Sequence, residues 1–280
     1  MDRMMLAPSV LLIVGTDTGV GKTWTGCALA RALCRGGRRV VAVKPLETGC
    51  PGAPADTEDG VALARATGQA KPLHALLRFH EPVAPPEAAD REGTQIDFDD
   101  LVRRVREHAA CADLALVEGA GGLLSPLTWE HNAVDLARAL EARVLLVAAD
   151  RLGTISHALM ALKLLELNRL ETLGVVLTAP EQPDASTGSN AAAISRLSGC
   201  SRILCAPRTR DPKAISDCMQ EVTHWLHLAY AARRRQQRGR RRLGPPENQS
   251  RPGRFSPTTR TSSCALRGSR RCGCATSLTS

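Results

Sequence analysis

Short runs of apolar residues alternate along the chain with longer segments in which apolar positions recur every three or four residues. The runs predict buried strands at residues 10–15, 40–43, 114–117, 144–148, 173–177 and 203–205. The longer segments predict helices at residues 22–35, 59–67, 98–110, 132–140, 155–167, 191–197 and 213–232. Apolar strands separated by helices are typical of a parallel sheet covered on both faces. We therefore predict a three-layer α/β fold with a mostly parallel central sheet flanked by helices.

Two segments lack this alternation. Residues 46–57 contain several glycines and prolines, which predicts a loop. Residues 71–94 are rich in proline, and the run EPVAPP lies at their centre, at residues 81–86. Because proline has no amide hydrogen to donate inside a helix, this second segment is predicted to be irregular.

The periodicity stops after Ala232, where the composition also changes. Residues 233–280 contain thirteen arginines, no lysine and one acidic residue, so they carry a formal charge of +12. Subtracting this from the net charge of +9 leaves −3 for residues 1–232, the balance of an ordinary enzyme. We predict a domain at residues 1–232 and a basic, disordered tail at 233–280. No nucleic-acid partner is predicted, except that the tail could bind RNA or DNA nonspecifically through phosphate contacts.

The chain offers no sequence signal for a membrane or for export. It has no run of about 20 apolar residues, the length that crosses a bilayer. Its first eight residues include Asp2 and Arg3 and do not resemble a signal peptide. The ten cysteines are scattered, as expected of free thiols. These features predict a cytoplasmic protein without membrane association.

The most informative motif is GTDTGVGKT at residues 15–23, which follows the first predicted strand and begins the first predicted helix. In that context small residues let backbone N–H groups turn toward a phosphate at the helix N-terminus. Lys22 would reach the β- and γ-phosphates, and the Thr23 hydroxyl would bind Mg²⁺. The predicted nucleotide contacts here are Gly19, Val20, Gly21, Lys22, Thr23 and Trp24.

Charged residues also end other predicted strands, at the edge where ligands bind in open α/β sheets. Lys44 follows the second strand and could neutralise charge on a transferred phosphoryl group. Glu118 begins the segment EGAGG and is placed to hold Mg²⁺. Asp56 and Asp59 lie near the following helix, where either could join the metal or cap the helix. Residues 153–156 begin another helix, whose free amides form a second candidate anion site.

Four segments together resemble dethiobiotin synthetases, a family within the P-loop NTPase superfamily. They are GTDTGVGKT at 15–23, KPLETG at 44–49, VEGAGGLLSPL at 117–127 and RLGTISHALMALKLLE at 151–166. The resemblance covers roughly residues 10–230. It implies a homodimeric, ATP- and Mg²⁺-dependent cyclo-ligase of biotin biosynthesis. Such an enzyme converts 7,8-diaminononanoate and CO₂ to dethiobiotin and releases ADP and phosphate.

The resemblance also implies roles for individual residues. Lys22 and Lys44 would be catalytic, flanking the reacting phosphoryl and carbamate groups. The metal ligands would be Thr23, Asp59 and Glu118, with Asp59 preferred over Asp56 because it precedes a helix start as the family's acid does. The further nucleotide contacts would be Glu118, Gly119, Ala120, Gly121, Thr178, Ala179 and Pro207. The substrate contacts would be Thr18, Thr48, Gly153, Thr154, Ile155 and Ser156.

One departure from the family pattern and two alternative functions qualify this interpretation. The family commonly has Asn-Asp after the fifth strand, where this chain has Thr178-Ala179, so its choice of base is open. A ParA- or MinD-like ATPase acting in assembly or partitioning would carry a lysine near the position of Thr16. A cobyrinate-type amide synthetase would need a glutaminase domain with a nucleophilic cysteine, and none fits after residue 232.

Overall fold

The computed structural model describes residues 9–209 and 211–242. The strands are β1 (Ser9–Gly15), β2 (Val40–Val43), β3 (Leu46–Glu47), β4 (Leu77–Arg78), β5 (Leu114–Gly122), β6 (Arg143–Ala149), β7 (Thr172–Thr178) and β8 (Ile203–Ala206). The helices are α1 (Lys22–Arg35), α2 (Asp59–Thr67), α3 (Pro85–Arg91), α4 (Phe98–Ala110), α5 (Ala133–Ala139), α6 (Thr154–Leu167), α7 (Asn190–Ser198) and α8 (Pro212–Arg242).

Six of the strands form one sheet in the order β2-β5-β1-β6-β7-β8. Every neighbouring pair in this sheet is parallel, which confirms the predicted parallel α/β architecture. Since β5 and β6 lie on opposite sides of β1, chain order reverses at β1. Ligands bind at such a switch point, outside the carboxyl ends of the strands. The topology therefore places the loop after β1 beside the ends of β2 and β5.

Helices cover both faces of the sheet, so its strands are buried on both sides. Successive side chains of β1 alternate between two cores: Leu11 and Ile13 pack with α1, α2 and α8, whereas Leu12 and Val14 pack with α4 to α7. All four are fully buried. Burying each such side chain stabilises the fold by about 2 kcal/mol. The strand that leads into the phosphate loop is thus firmly held.

The prediction that residues 71–94 are irregular was wrong for α3. This helix begins at Pro85, and Pro86 follows in its first turn. Prolines are tolerated there because the first N–H groups of a helix have no partner within it. The loop predicted at residues 46–57 also contains β3, which pairs in parallel with β4.

The predicted end of the last helix at Ala232 was also wrong, because α8 continues to Arg242. Arginine and glutamine, which fill that stretch, are good helix formers. The rest of the predicted tail, residues 243–280, lies outside the described residues, and the domain boundary stays a prediction. Among the described helices none combines the length and apolarity needed to span a bilayer. The cysteines in the described part of the chain are all unpaired.

Candidate active site

The loop between β1 and α1 wraps around the Lys22 ammonium group. Lys22 is nearly buried, and its Nζ donates a hydrogen bond to the Asp17 carbonyl at 3.0 Å. Gly21 has a φ of 89°. A Cβ on this glycine would lie 2.9 Å from the Thr178 side chain, so this position demands glycine. The fold thus gives the GTDTGVGKT segment the strand–loop–helix geometry of a phosphate-binding loop.

Beside this loop, four side chains from four different elements meet in one cluster. The Lys44 Nζ, just beyond β2, lies 2.8 Å from Asp59 Oδ2 and 2.6 Å from Glu118 Oε1. The Thr23 hydroxyl oxygen lies 2.7 Å from Asp59 Oδ1 and 2.9 Å from Glu118 Oε1, and its single proton is donated to one of these oxygens at a time. The adjacency of β2, β5 and β1 in the sheet explains this convergence.

The charges of this cluster depend on one another. Burial alone would lower the pKa of Lys44, but the carboxylates of Glu118 and Asp59 hold that pKa above its usual value. Burial likewise opposes ionisation of Asp59, yet the Lys44 ammonium brings the pKa of Asp59 below its usual value. Lys44 and Asp59 are therefore both charged at neutral pH.

Lys22 is in a different electrostatic position. Burial lowers the pKa of Lys22, and the positive charge of Lys44 lowers it further. Its hydrogen-bond acceptor is a carbonyl rather than a carboxylate. A nucleotide phosphate would supply the missing negative charge, so binding of an anion at this loop is electrostatically favourable.

The oxygen atoms of Thr23, Asp59 and Glu118 form a set that fits a magnesium ion. Hydroxyl and carboxylate oxygens are the ligands that Mg²⁺ prefers. Glu118 is buried, and its Oε2 atom has no hydrogen-bond partner, which is costly unless a cation or donor binds there. Asp56 lies elsewhere, paired with the exposed Arg65. The geometry thus favours Asp59 over Asp56 in the cluster.

Two cavities border the phosphate loop. One has a volume of about 800 Å³ and is lined by both predicted catalytic lysines, by two of the three predicted metal ligands and by two of the predicted substrate residues. The predicted site residues in its wall are Thr18, Gly19, Gly21, Lys22, Thr23, Lys44, Thr48, Asp59, Ala120 and Gly121, whereas Glu118 does not line it. The other, of about 740 Å³, is lined by predicted nucleotide contacts, namely Gly19, Val20, Gly21, Trp24, Thr178, Ala179 and Pro207. Gly119, another predicted nucleotide contact, lines neither cavity and lies against β1. The cavities share the loop, as sites for a nucleotide and a second substrate should.

Thr178 lines the second of these cavities, but its hydroxyl proton is already used. It donates to the Val20 carbonyl at 2.8 Å, which ties the end of β7 to the phosphate loop. The next amide, that of Ala179, donates to the Ala206 carbonyl at 3.0 Å. Neither group therefore has a free donor for a base.

The predicted substrate contacts Gly153, Thr154, Ile155 and Ser156 lie apart from the cluster. They begin α6, with Gly153 at a φ of 90°, and line neither cavity beside the loop. Just before them, the Leu152 amide donates to Asp184 at 2.8 Å, so a second loop holds this helix start. The described residues of one chain therefore do not join this anion site to the cavity.

Sequence reasoning missed Glu47 and Ser125. Both line the larger cavity. Glu47 accepts hydrogen bonds from the first amides of α2, and Ser125 accepts one from the Gly122 amide at 2.8 Å. Both residues lie inside the family-like segments KPLETG and VEGAGGLLSPL. Their polar side chains within these segments were the sequence signal that could have identified them as site residues.

Comparison with solved structures places the fold among nucleotide-binding proteins. MinD from Pyrococcus horikoshii, complexed with Mg-ADP, matches with a TM-score of 0.50 and 15% identity over 77% of this chain and 96% of that one. An ATP complex of a McdA variant from Cyanothece matches with a TM-score of 0.51 and 13% identity over 80% of this chain and 98% of that one. At these identities the likeness concerns the fold alone.

Sequence comparisons reach further. A family model described as an AAA domain matches residues 9–215. The ATP-dependent dethiobiotin synthetase BioD of Anaeromyxobacter dehalogenans strain 2CP-1 is 43% identical over 192 residues, 67% of this chain and 84% of that protein. BioD of Rhodococcus erythropolis is 36% identical over 223 residues, 78% of this chain and 95% of that protein. With this identity over most of both chains, and the loop and cluster in place, the chain belongs to the ATP-dependent dethiobiotin synthetase family.

Proposed function

We propose that this chain joins CO₂ to 7,8-diaminononanoate at the expense of ATP and closes the ring of dethiobiotin. The names of its relatives support this reaction. The observation that carries the proposal is the convergence of Lys44, Asp59, Glu118 and Thr23 beside the phosphate loop. The ammonium groups of Lys44 in this cluster and of Lys22 in the loop would then lie where the charge of the phosphates must be stabilised.

The proposed chemistry has three balanced steps. A substrate amine adds to CO₂ and loses a proton, giving a carbamate. A carbamate oxygen then attacks the γ-phosphorus of ATP, and ADP leaves. The second amine attacks the carbon of the resulting mixed anhydride, phosphate leaves, and the amine nitrogen gives up its proton as the cyclic urea forms. Thr18 and Thr48, which line the larger cavity, are placed to contact the diamine or carbamate.

The protein contributes fixed positive charge to these steps. Lys44 is oriented by two carboxylates and cannot turn away without breaking both ion pairs. Lys22 comes from the loop that would hold the phosphates. Ammonium groups preorganised where negative charge grows stabilise the transition state more than the ground state. We assign both lysines as catalytic residues.

We also propose that Thr23, Asp59 and Glu118 hold Mg²⁺ when nucleotide is bound. The ion would neutralise charge on the β- and γ-phosphates. The unpaired Oε2 atom of Glu118 supports this assignment.

Glu118→Gln should raise the Mg²⁺ concentration needed for half-maximal activity by about tenfold or more, since a neutral amide replaces a charged ligand. A Mg²⁺ titration of activity at saturating ATP measures this. Asp56→Asn is the matched control, because that carboxylate pairs with the exposed Arg65. If the titrations of the Glu118→Gln and unaltered proteins coincide, Glu118 is not a metal ligand.

We further propose a homodimer in which the start of α6 reaches the substrate bound to the partner subunit. Within one chain these residues lie apart from the cavity, which supports a site completed by a second copy. Leu152, Met160 and Leu167, in or beside α6, are 81%, 60% and 70% exposed, as expected of an interface. Sedimentation at several concentrations tests this, and a monomer throughout would oppose it.

The reaction is tested by product detection. Purified protein is incubated with diaminononanoate, bicarbonate, Mg²⁺ and ATP, and dethiobiotin is measured by mass spectrometry. Dethiobiotin, ADP and phosphate should form in equal amounts, and only when the diamine is present. ATP hydrolysis that ignores the diamine and yields no dethiobiotin would instead favour an assembly ATPase of the MinD type.

Nucleotide choice should be loose, because the Thr178 hydroxyl and the Ala179 amide are already engaged. We expect kcat/KM for ATP to exceed that for GTP and CTP by well under a thousandfold, a ratio that would demand about 4 kcal/mol of base recognition. Ala179→Asp adds a hydrogen-bond acceptor at the cavity wall, so it should widen the differences in kcat/KM between nucleotides with different bases. A thousandfold preference in the unaltered protein would contradict the expectation.

A further inference from the structure

The first turn of α2 is held by a carboxylate from a distant part of the chain. Glu58, the residue before the helix, makes no side-chain hydrogen bond to the helix amides. Instead, the Glu47 carboxylate accepts from the backbone N–H groups of Asp59 at 2.5 Å and Gly60 at 3.0 Å. A carboxylate there satisfies amides that have no partner within the helix and faces its partial positive charge. Glu47 therefore caps α2 from outside it.

We infer that Glu47 is a positioning residue for the reaction, because the helix start that it caps carries Asp59. Glu47 and Lys44 lie three positions apart on the segment that leaves β2. Lys44 binds the Asp59 side chain at 2.8 Å, while Glu47 binds the Asp59 backbone. Asp59 is thus held at two points by one short segment. The inference rests on the proposed function insofar as Asp59 belongs to the reacting site.

The surrounding contacts leave the start of α2 little freedom. Glu47 lies opposite Arg78 in the short β3–β4 pair, and Arg78 donates to both oxygens of Glu58 at 2.5 and 2.8 Å. On the other side, a Cβ on Gly60 would overlap the backbone nitrogen of Ala75. Glu47 adds hydrogen bonds to the amides of Asp59 and Gly60, and Asp59 connects these contacts to the cluster.

A metal site at Glu47 is the competing interpretation. Ligand atoms of Glu47, Cys50 and Glu58 lie within 4.8 Å of one another. The Glu47 oxygens accept from two amides, however, and those of Glu58 accept from Arg78 and the Ala55 amide. Burial raises the pKa of Cys50 to about 11, so a metal would have to displace the thiol proton as well as the hydrogen bonds of both carboxylates. The carboxylates of this cluster act as acceptors that fix the backbone.

The first test is hydrogen exchange at the amides of residues 59 and 60, measured without nucleotide or Mg²⁺. We expect Glu47→Ala to speed exchange there about tenfold, as loss of a cap loosens a first turn. Glu47→Gln keeps one acceptor oxygen and should give a smaller change; it also serves if the alanine variant does not fold. Exchange that is unchanged in the variants overturns the inference.

The second test asks whether Glu47 acts through Asp59. Glu47→Ala alone should lower kcat by about tenfold to a hundredfold, the effect of displacing a reacting group by about 1 Å. In an Asp59→Ala background, the same change should cost less than about twofold, since coupled residues are not additive. If the kcat of the double variant falls by the product of the two single-variant losses, the inference is overturned.

Asp56→Ala is the matched control, from the same loop but paired with exposed Arg65, and should behave as the unaltered protein in both measurements. If the unaltered protein makes no dethiobiotin, the proposed function fails, but the exchange measurement still decides whether Glu47 holds α2.

Discussion

Lys44→Ala is expected to lower kcat for dethiobiotin formation by about a hundredfold or more, the usual loss when one preorganised group facing transition-state charge is removed. Lys44 is only 5% exposed and is held by Asp59 and Glu118, and in the described part of the chain no other ammonium or guanidinium group pairs with these carboxylates. The loss should fall on kcat more than on the KM for ATP, because Lys44 lies outside the phosphate loop. Steady-state kinetics with dethiobiotin as the measured product check this.

This substitution also leaves Glu118 buried without its cation, which can destabilise a protein by about 3–5 kcal/mol. A lower melting temperature is therefore expected, and the loss of activity must be separated from it. The double variant Lys44→Met with Glu118→Gln removes both charges and should recover stability while remaining inactive. Near-normal turnover in a folded Lys44→Ala protein would remove Lys44 from the mechanism.

Much of this site was predictable because its parts follow from local sequence. The phosphate loop lies between a strand and a helix whose start, Lys22, was predicted from the GTDTGVGKT segment. Lys44 was predicted at the end of its strand, and it directly follows β2 at the edge where parallel strands bring such ends together. Glu118 was also predicted at a strand end, but β5 continues to Gly122, so Glu118 lies within the strand, paired with Ile13 of β1. Their meeting with each other follows from β2 and β5 being neighbours, which alternation alone does not specify.

What escaped prediction depends on the path of the chain in space. By position alone Asp56 and Asp59 are equivalent, and Asp59 was preferred only through the family resemblance; the fold turns Asp59 toward Lys44 and Asp56 toward Arg65. The hydroxyl of Thr178 was expected to meet a nucleotide, yet it binds a carbonyl of the loop, 158 residues earlier in the chain. Glu47 caps a helix 12 residues away, a contact for which no local capping rule exists.

The errors in secondary structure have local causes. Proline argued against a helix at residues 81–86, but two prolines occupy the first turn of α3, where the missing N–H is not needed. At the other end of the chain, loss of apolar periodicity was equated with loss of helix. In α8 helix propensity carries the backbone on to Arg242 after the apolar positions end.

Lys22→Ala should lower kcat/KM for ATP by at least about a hundredfold, and here the loss should include binding. The Lys22 ammonium is enclosed by the phosphate loop itself, where it would meet the β- and γ-phosphates. Isothermal titration with ADP measures the binding part directly. Lys22→Arg should not restore activity, because the guanidinium group is larger than the ammonium group and the loop leaves little space around it. Even a Cβ atom added to Gly15 would lie only 3.1 Å from Lys22 Nζ.

The stability of this variant gives the sharpest contrast with Lys44→Ala. In the described part of the chain, the hydrogen bond of Lys22 goes to the Asp17 carbonyl, and its burial beside Lys44 lowers its pKa. Removing the Lys22 ammonium group deprives no buried carboxylate of an ion-pair partner. It also removes the repulsion between Lys22 and Lys44. The melting temperature without nucleotide should therefore hold or rise, while activity falls. If the melting temperature drops as far as in Lys44→Ala, Lys22 is a structural ion-pair partner, and its assignment to the nucleotide phosphates is wrong.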